Sequence, residues 1–265
     1  MTVLGHHGGP AHANRWVRRP TGLALRQQRT IMVSWVIGAA SLESIYGGLT
    51  RQVESLLRDN PTLTNMLGGA GTAQLTELFL SSALLILSLL ASAAGVTVML
   101  KMKAQEESGQ SELLLAGALG RSRWALSHLV VALSTATLTV LIGGVALGVT
   151  ASLSLHDWSE FPRLFTAAGG YAPAVMVVIA IAFACVAARP VWTWIAWAYL
   201  AFVSLDALLA ESLRFPRWVR QGSPFQHLAA LPGEAFGWVP FTVVTLVACA
   251  IVVASLMGVR VRDIG

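Results

Sequence analysis

Apolar positions along the chain fall into long runs, with charged residues confined mainly to their ends and to the segments between them. Six runs can be delimited, near residues 31–49, 75–100, 124–155, 166–188, 191–213 and 239–258. A helix crosses the hydrocarbon of a bilayer in about 20 predominantly apolar residues, and several of these runs reach that length. No segment alternates with period two over the length of a barrel strand, which excludes a transmembrane β-barrel. The pattern therefore predicts an all-α integral membrane protein with six transmembrane helices. The third run is too long for one upright span. It must tilt, extend beyond the bilayer, or bend at Gly143, Gly144 and Gly148.

Three stretches between the runs have a character of their own. Residues 15–29, RWVRRPTGLALRQQR, mix arginines with Trp16, Val17, Leu23 and Leu25. A helix starting near Pro20 would be basic and weakly amphipathic, suited to an anionic membrane surface. An ordinary positive flank of the first span is the alternative. Residues 59–74 form a Gly-rich connection. Residues 214–238 are rich in Pro, Gly and aromatics and too apolar for free solvation, so short helices dipping into the outer interface, a re-entrant type of loop, are expected between spans 5 and 6. The expected organisation is a tail with an interfacial helix (1–30), a six-span domain (31–258) and a short C-terminal tail (259–265).

Composition narrows the class further. The chain of 265 residues is 55% hydrophobic and 12% charged, with a mean hydropathy of +0.66. A soluble domain carries about a quarter charged residues. The net charge of +5 does not indicate nucleic acid, because the arginines cluster at the ends of apolar runs. Cys185 and Cys249 both lie inside such runs, which argues against a disulfide framework or a thiolate metal site. The first thirty residues lack the apolar segment of a cleavable signal peptide.

Orientation follows from the cations. The N-terminal tail, the 101–123 loop, Arg189 and the C-terminal Arg260 and Arg262 contribute twelve Lys and Arg. The other side holds six: Arg51, Arg58, Arg163, Arg214, Arg217 and Arg220. This asymmetry predicts that both termini and the 101–123 loop are cytoplasmic. Trp35, Trp124, Trp192 and Trp194 then fall near inner span ends, and Trp158 and Trp238 near outer ends, as interfacial belts do.

The most informative interruption is KMKAQEESGQSELLLAGALGRSRW, residues 101–124, which holds both lysines of the chain. Good helix formers carry the second run through KMKAQEES, and Gly109 suits the position that ends a helix. Ser111 is a good N-cap, and Glu112 in the first turn suits the helix dipole. A second short helix, ELLLAGAL, would then stop at Gly120. Lys101, Lys103, Arg121 and Arg123 sit at headgroup depth, while Glu106, Glu107 and Glu112 project beyond them. A Leu trio at 113–115 with a charged rim fits a docking knob for a cytoplasmic partner; a plain membrane-surface hairpin is the alternative.

This stretch resembles the cytoplasmic loop of permeases in the ABC exporter family of polyketide-antibiotic exporters, found mainly in actinobacteria. The shared pattern is two acids, a Gly, a further Glu, a Leu-Leu-Ala core, then Arg-x-Arg-Trp and a His. Glu106, Glu107, Gly109, Glu112, Leu114, Leu115, Ala116, Arg121, Arg123, Trp124 and His128 match it. SPFQHLAALPG (223–233) and VRVRDIG (259–265) resemble that family's last outer loop and C-terminus. The chain departs from the family in having AGAL at 116–119, where Pro is common, and in resembling only the second half of members about twice as long. The resemblance implies a permease of the bacterial plasma membrane that moves a hydrophobic small molecule outward. It implies a separate cytoplasmic ABC ATPase dimer carrying ATP and Mg2+, and a second permease half. Glu106, Glu107, Gly109, Glu112, Leu114, Leu115, Arg121 and Arg123 would couple to that ATPase through the cytoplasmic helix between spans 2 and 3.

Other residues support fewer chemistries. Glu43 and Asp206 lie inside apolar runs, where an acid costs about 2.5–3.5 kcal/mol on insertion scales. They are either contacts on a translocation path or hydrogen-bonded acids between helices, with Ser41, Tyr46 or Ser204 as the available donors. His6, His7 and His12 sit among Gly and Pro with no partnering Cys or carboxylate, which favours a tail over a metal site. No HExxH, GxSxG or GxxxxGK[ST] occurs, so neither a catalytic site, a metal site nor a nucleotide loop is expected in the chain itself. Two rival functions remain: a proton-coupled secondary transporter using Glu43 or Asp206, and a non-transporting membrane scaffold that recruits a partner through the same loop.

Overall fold

The computed structural model describes residues 20–60, 62, 71–107, 121–210 and 212–261, and among these the chain is helical with no strand. The helices are α1 (Pro20–Asp59), α2 (Thr72–Glu107), α3 (Arg121–Leu155), α4 (Glu160–Gly170) and α5 (Ala172–Ala188). They continue with α6 (Thr193–Leu209), the four-residue α7 (Arg217–Arg220) and α8 (Trp238–Val261). Single 3-10 turns occur at Pro190–Trp192 and Pro224–His227. Helices predominate because a backbone in hydrocarbon must satisfy its own hydrogen bonds.

Among the described residues, five helical segments are long and apolar enough to cross a membrane: Leu25–Asp59, Thr72–Lys101, Ala125–Leu155, Glu160–Ala188 and Trp238–Gly258. The fifth expected span, 191–213, coincides with α6, whose 17 residues form a shorter apolar helix. The first three helices overshoot the predicted runs. At 1.5 Å per residue, the 35 residues of α3 rise about 52 Å, well beyond a hydrocarbon core of about 30 Å. The helix α3 is unbroken through Gly143, Gly144 and Gly148, so these glycines do not interrupt the third run. The fourth span begins at Glu160 rather than near 166, and it is interrupted at Tyr171. Pro173 explains the break, since its ring nitrogen cannot donate to the carbonyl four residues back.

Register follows from close approaches. Gly47 of α1 meets Thr150, Leu147 and Ala151 of α3, and the Arg51 amide donates to Ser154 Oγ at 3.3 Å, so α1 and α3 run parallel. Leu87 of α2 fills the space beside Gly143, and Gly95 lies against the Ala132 carbonyl, so α2 is antiparallel to α3. Gly144 and Gly148 receive Ala168 and Phe161 of α4, and Gly95 receives Ile179 of α5. The glycines of the third run are thus recesses for neighbouring helices. Small residues let helices approach closely where lipid tails supply no hydrophobic driving force.

The interior of this bundle holds Leu84, Leu87, Leu147, Leu164, Ile179 and Phe183, all fully buried. Ser88, Ser92, Thr135 and Thr139 are buried among them, and each hydroxyl donates to the carbonyl four residues earlier at 2.8–2.9 Å. Such back-bonding lets a hydroxyl enter an apolar core without a partner on another helix. Helix α8 packs on α5 through Val244 and Ala248 against Val177 and leaves most of its apolar face uncovered.

Candidate functional site

The two ends of the bundle differ. At one end the C-termini of α1 and α3 meet the N-termini of α2 and α4. Arg163 of α4 donates from Nη1 to Glu77 Oε1 of α2 at 2.6 Å and faces Glu160 Oε2 at 2.9 Å from Nη2. Nearby, Arg51 donates to His156 Nδ1 at 3.2 Å, and Arg58 pairs with Glu54 one turn away. In the turn before α4, Asp157 accepts from the Ser159 amide at 2.9 Å, which holds its carboxyl below the usual carboxylate range. Glu54, Arg58, Thr76, Glu77, Glu160 and Arg163 line a cavity of about 350 Å³. This network of acids and arginines was not singled out in the sequence, where its members lie in three separate stretches, 51–58, 76–77 and 156–163.

The opposite end collects the start of α1, the end of α2 at Glu107, the start of α3 at Arg121, the end of α5 at Ala188 and the end of α8 at Val261. These are the segments to which the cation asymmetry assigns twelve Lys and Arg. Arg189 lies there with its guanidinium 5.7 Å from the ring centre of Trp192. Of the predicted coupling residues, Glu106 and Glu107 fall in the last turn of α2, and Arg121 and Arg123 in the first turn of α3. Gly109, Glu112, Leu114 and Leu115 lie outside the described residues, as does the short helix expected there. The expected Gly-rich connection lies largely outside them too, at residue 61 and residues 63–70.

Between the ends, the two intramembrane acids are both buried. Glu43 is fully buried on α1, one turn from Gly47 and the close α1–α3 contact. Neither of its carboxylate oxygens has a hydrogen-bond partner among the described residues. Asp206 of α6 is equally buried and also accepts no hydrogen bond from the described residues. Of the donors named in the sequence, Ser204 donates to the Leu200 carbonyl at 2.8 Å, while the Tyr46 ring packs against Phe79.

Asp206 instead faces Arg220 Nε at 3.9 Å. That contact exists because the segment after α6 folds back along it. Tyr199 donates its hydroxyl to the Gly222 carbonyl at 3.1 Å, and Phe202 lies beside Gly222. Tyr199 is ten residues before the end of α6, so the chain returns about 15 Å along the helix. It then buries Ser223, Phe225 and Leu231, with Phe225 near Tyr171 and the Tyr171 hydroxyl donating to the Leu231 carbonyl at 3.3 Å. Ser81 of α2 donates to the Ala230 carbonyl at 3.4 Å, which returns the segment to the Glu77 end. The short helices expected in 214–238 are present as α7 and the Pro224–His227 turn.

A further buried polar group escaped the sequence reading. Gln28 of α1 is buried with neither amide atom hydrogen-bonded among the described residues. It shares one stripe of α1 with Met32, Ala39, Glu43, Gly47, Thr50 and Leu57, all buried. That helical spacing was the available signal. His128 is buried beside Ser127 at 3.4 Å. Among the described residues no group of three His, Cys, Asp or Glu could hold a metal ion.

These features define a polytopic helical membrane domain with buried acids, a folded-back loop at one end and a cationic opposite end. Residues 17–260 match the family described as the C-terminal domain of the multidrug efflux system permease Rv1217c, and the chain belongs to that family. It is also similar to the multidrug efflux system permease protein Rv1217c of Mycobacterium tuberculosis (strain ATCC 25618 / H37Rv), with 28% identity over 265 residues. That similarity takes in 99% of this chain and 48% of the relative, so the chain spans about half the relative's length.

Proposed function

We propose that the chain is a permease part of an ATP-driven ABC exporter that moves a hydrophobic small molecule out of the cell. The observation that carries this reading is the family match over residues 17–260, in a bundle with two chemically distinct ends. In this reading α6, extended by the 3-10 turn before it, is the fifth of six spans, α8 is the sixth, and the segment around Gly222 re-enters the membrane from outside. The cation-rich end is cytoplasmic in the plasma membrane and the Glu77 end is extracytoplasmic. ATP and Mg2+ act in a separate ATPase dimer that presses on residues 101–123. Two such six-span units are required, because one unit carries only one docking loop. The second unit is either another copy of this chain or a partner half.

In mechanism, the Gly-lined α1–α3 and α2–α5 contacts let these helices shift against one another with little side-chain rearrangement. Closure at the cytoplasmic end would rock the bundle and open the Glu77 end. Glu43 lies on the stripe of α1 that this motion would uncover, where a carboxyl can receive a polar or cationic group of an otherwise apolar substrate. Its burial without a partner favours one second reading, in which Glu43 carries a proton and a proton gradient drives transport.

The test is transport in proteoliposomes containing the chain together with the ATPase and permease subunits that co-purify from native membranes. Export should stop when the partner ATPase carries a catalytic mutation and should persist with a protonophore. The reverse result would replace the ATP-driven reading with the proton-coupled one. Loss of ATPase stimulation by any substrate would favour a scaffold.

A further inference from the structure

Arg214, Arg217 and Arg220 stand within seven residues of the loop between α6 and α8, on the side where the cation balance is unfavourable to arginine. Among the described residues, only Arg220 of the three has an acidic partner, the buried Asp206, at 3.9 Å. Its Nη2 also donates to Gln226 Oε1 at 3.0 Å, which fixes the plane of the guanidinium. Arg217 is exposed and has no acceptor among the described residues. Arg217, Arg220, Gln221, Gln226 and His227 surround a cavity of about 340 Å³, and none of its lining residues is acidic. The His227 ring donates from Nε2 to the Gln221 carbonyl at 3.0 Å, which closes one wall.

The cavity's surroundings are apolar. Trp218, between the two arginines, is 76% exposed, and Leu213 is 50% exposed. In water such groups would be a liability; at a bilayer interface a tryptophan of this kind sits at headgroup depth. We propose that the cavity binds the phosphate of an anionic phospholipid, with Arg217 and Arg220 clamping the phosphate and Trp218 and Leu213 set in the headgroup–acyl boundary. Guanidinium groups bind phosphate through paired, charge-assisted hydrogen bonds. A zwitterionic headgroup is disfavoured because the lining offers no carboxylate for its ammonium group. The Asp206–Arg220 pair ties this headgroup to α6, so a bound lipid braces the folded-back loop against the bundle.

The full chain, in nanodiscs of mixed phosphatidylglycerol and phosphatidylcholine, is extracted in mild detergent and its retained lipids are measured by native mass spectrometry. Wild type should retain phosphatidylglycerol over phosphatidylcholine by about tenfold, in line with the extra strength of charge-assisted bonds. Arg217→Gln should bring the two lipids to parity, and Arg217→Lys should keep part of the preference. Arg217 is exposed, so all three proteins should elute alike from size exclusion. Equal preference in wild type and Arg217→Gln, or no preference in wild type, overturns the lipid site. Equilibrium dialysis with inorganic phosphate on protein in purely phosphatidylcholine discs provides the second arm. Phosphate binding that Arg217→Gln abolishes, with no phosphatidylglycerol preference, would assign the cavity to a soluble anion instead.

Discussion

Gly47 of α1 and Thr150 of α3 are so closely apposed that no side chain fits between them. A Cβ on Gly47 would also stand 2.7 Å from the Leu147 carbonyl and 2.8 Å from the Ala151 amide, which are backbone atoms and cannot swing aside. Gly47→Ala should therefore push α1 away from α3 and lower stability in detergent by about 1–3 kcal/mol, the usual range for overpacking. Gly48→Ala, with nothing within 4 Å of the new methyl, should be neutral or gain up to about 1 kcal/mol from helix propensity. Thermal unfolding of the two variants side by side checks this. Equal midpoints would mean that the seam is not tight.

Asp206 and Arg220 differ in exposure, at 0% and 35% for the side chains, and this predicts an asymmetry. Arg220→Ala leaves a buried carboxylate alone and should be costly, up to about 3 kcal/mol. Asp206→Asn leaves an arginine that can still reach water and should cost less. Folded yield and melting temperature measure both. A larger loss for Asp206→Asn would contradict the argument.

Glu43→Gln keeps size and removes the ionisable oxygen. With Glu43 on the translocation path, the variant should fold at wild-type level while export or substrate-stimulated ATPase changes. If only the folded yield falls, Glu43 is a structural acid and the path lies elsewhere.

Membrane orientation can be read with single cysteines. In intact cells an impermeant thiol reagent should label Ser159→Cys and leave Ser108→Cys and Ser122→Cys untouched. Labelling at position 108 from outside would invert the proposed topology.

The docking knob predicts that Leu114→Asp and Leu115→Asp place an unpaired charge in an apolar contact and release the ATPase, whereas Glu112→Ala costs less because a rim charge stays hydrated. ATPase recovery in a mild-detergent pull-down is the measurement. Undiminished recovery with both leucines changed would leave the segment a surface hairpin.

The class of the protein was legible in the sequence because hydrocarbon imposes a one-dimensional requirement: about 20 apolar residues per span, with cations left at one face. The helical runs and the distinct character of 214–238 followed from composition along the chain alone. That the helix ends nearest the cation-rich stretches share one face was equally legible, since antiparallel spans return alternate loops to one face. Tertiary structure decided what depends on which surfaces meet. The glycines of the third run could have bent α3, and packing made them recesses for Leu87, Ala168 and Phe161. Asp206 could have bonded to Ser204, but a serine in a helix reaches its own backbone more readily, and the returning loop brought Arg220 instead. The Glu77–Arg163 bridge joins residues 86 positions apart. No local pattern encodes such a pair, because it forms only when the ends of four helices converge.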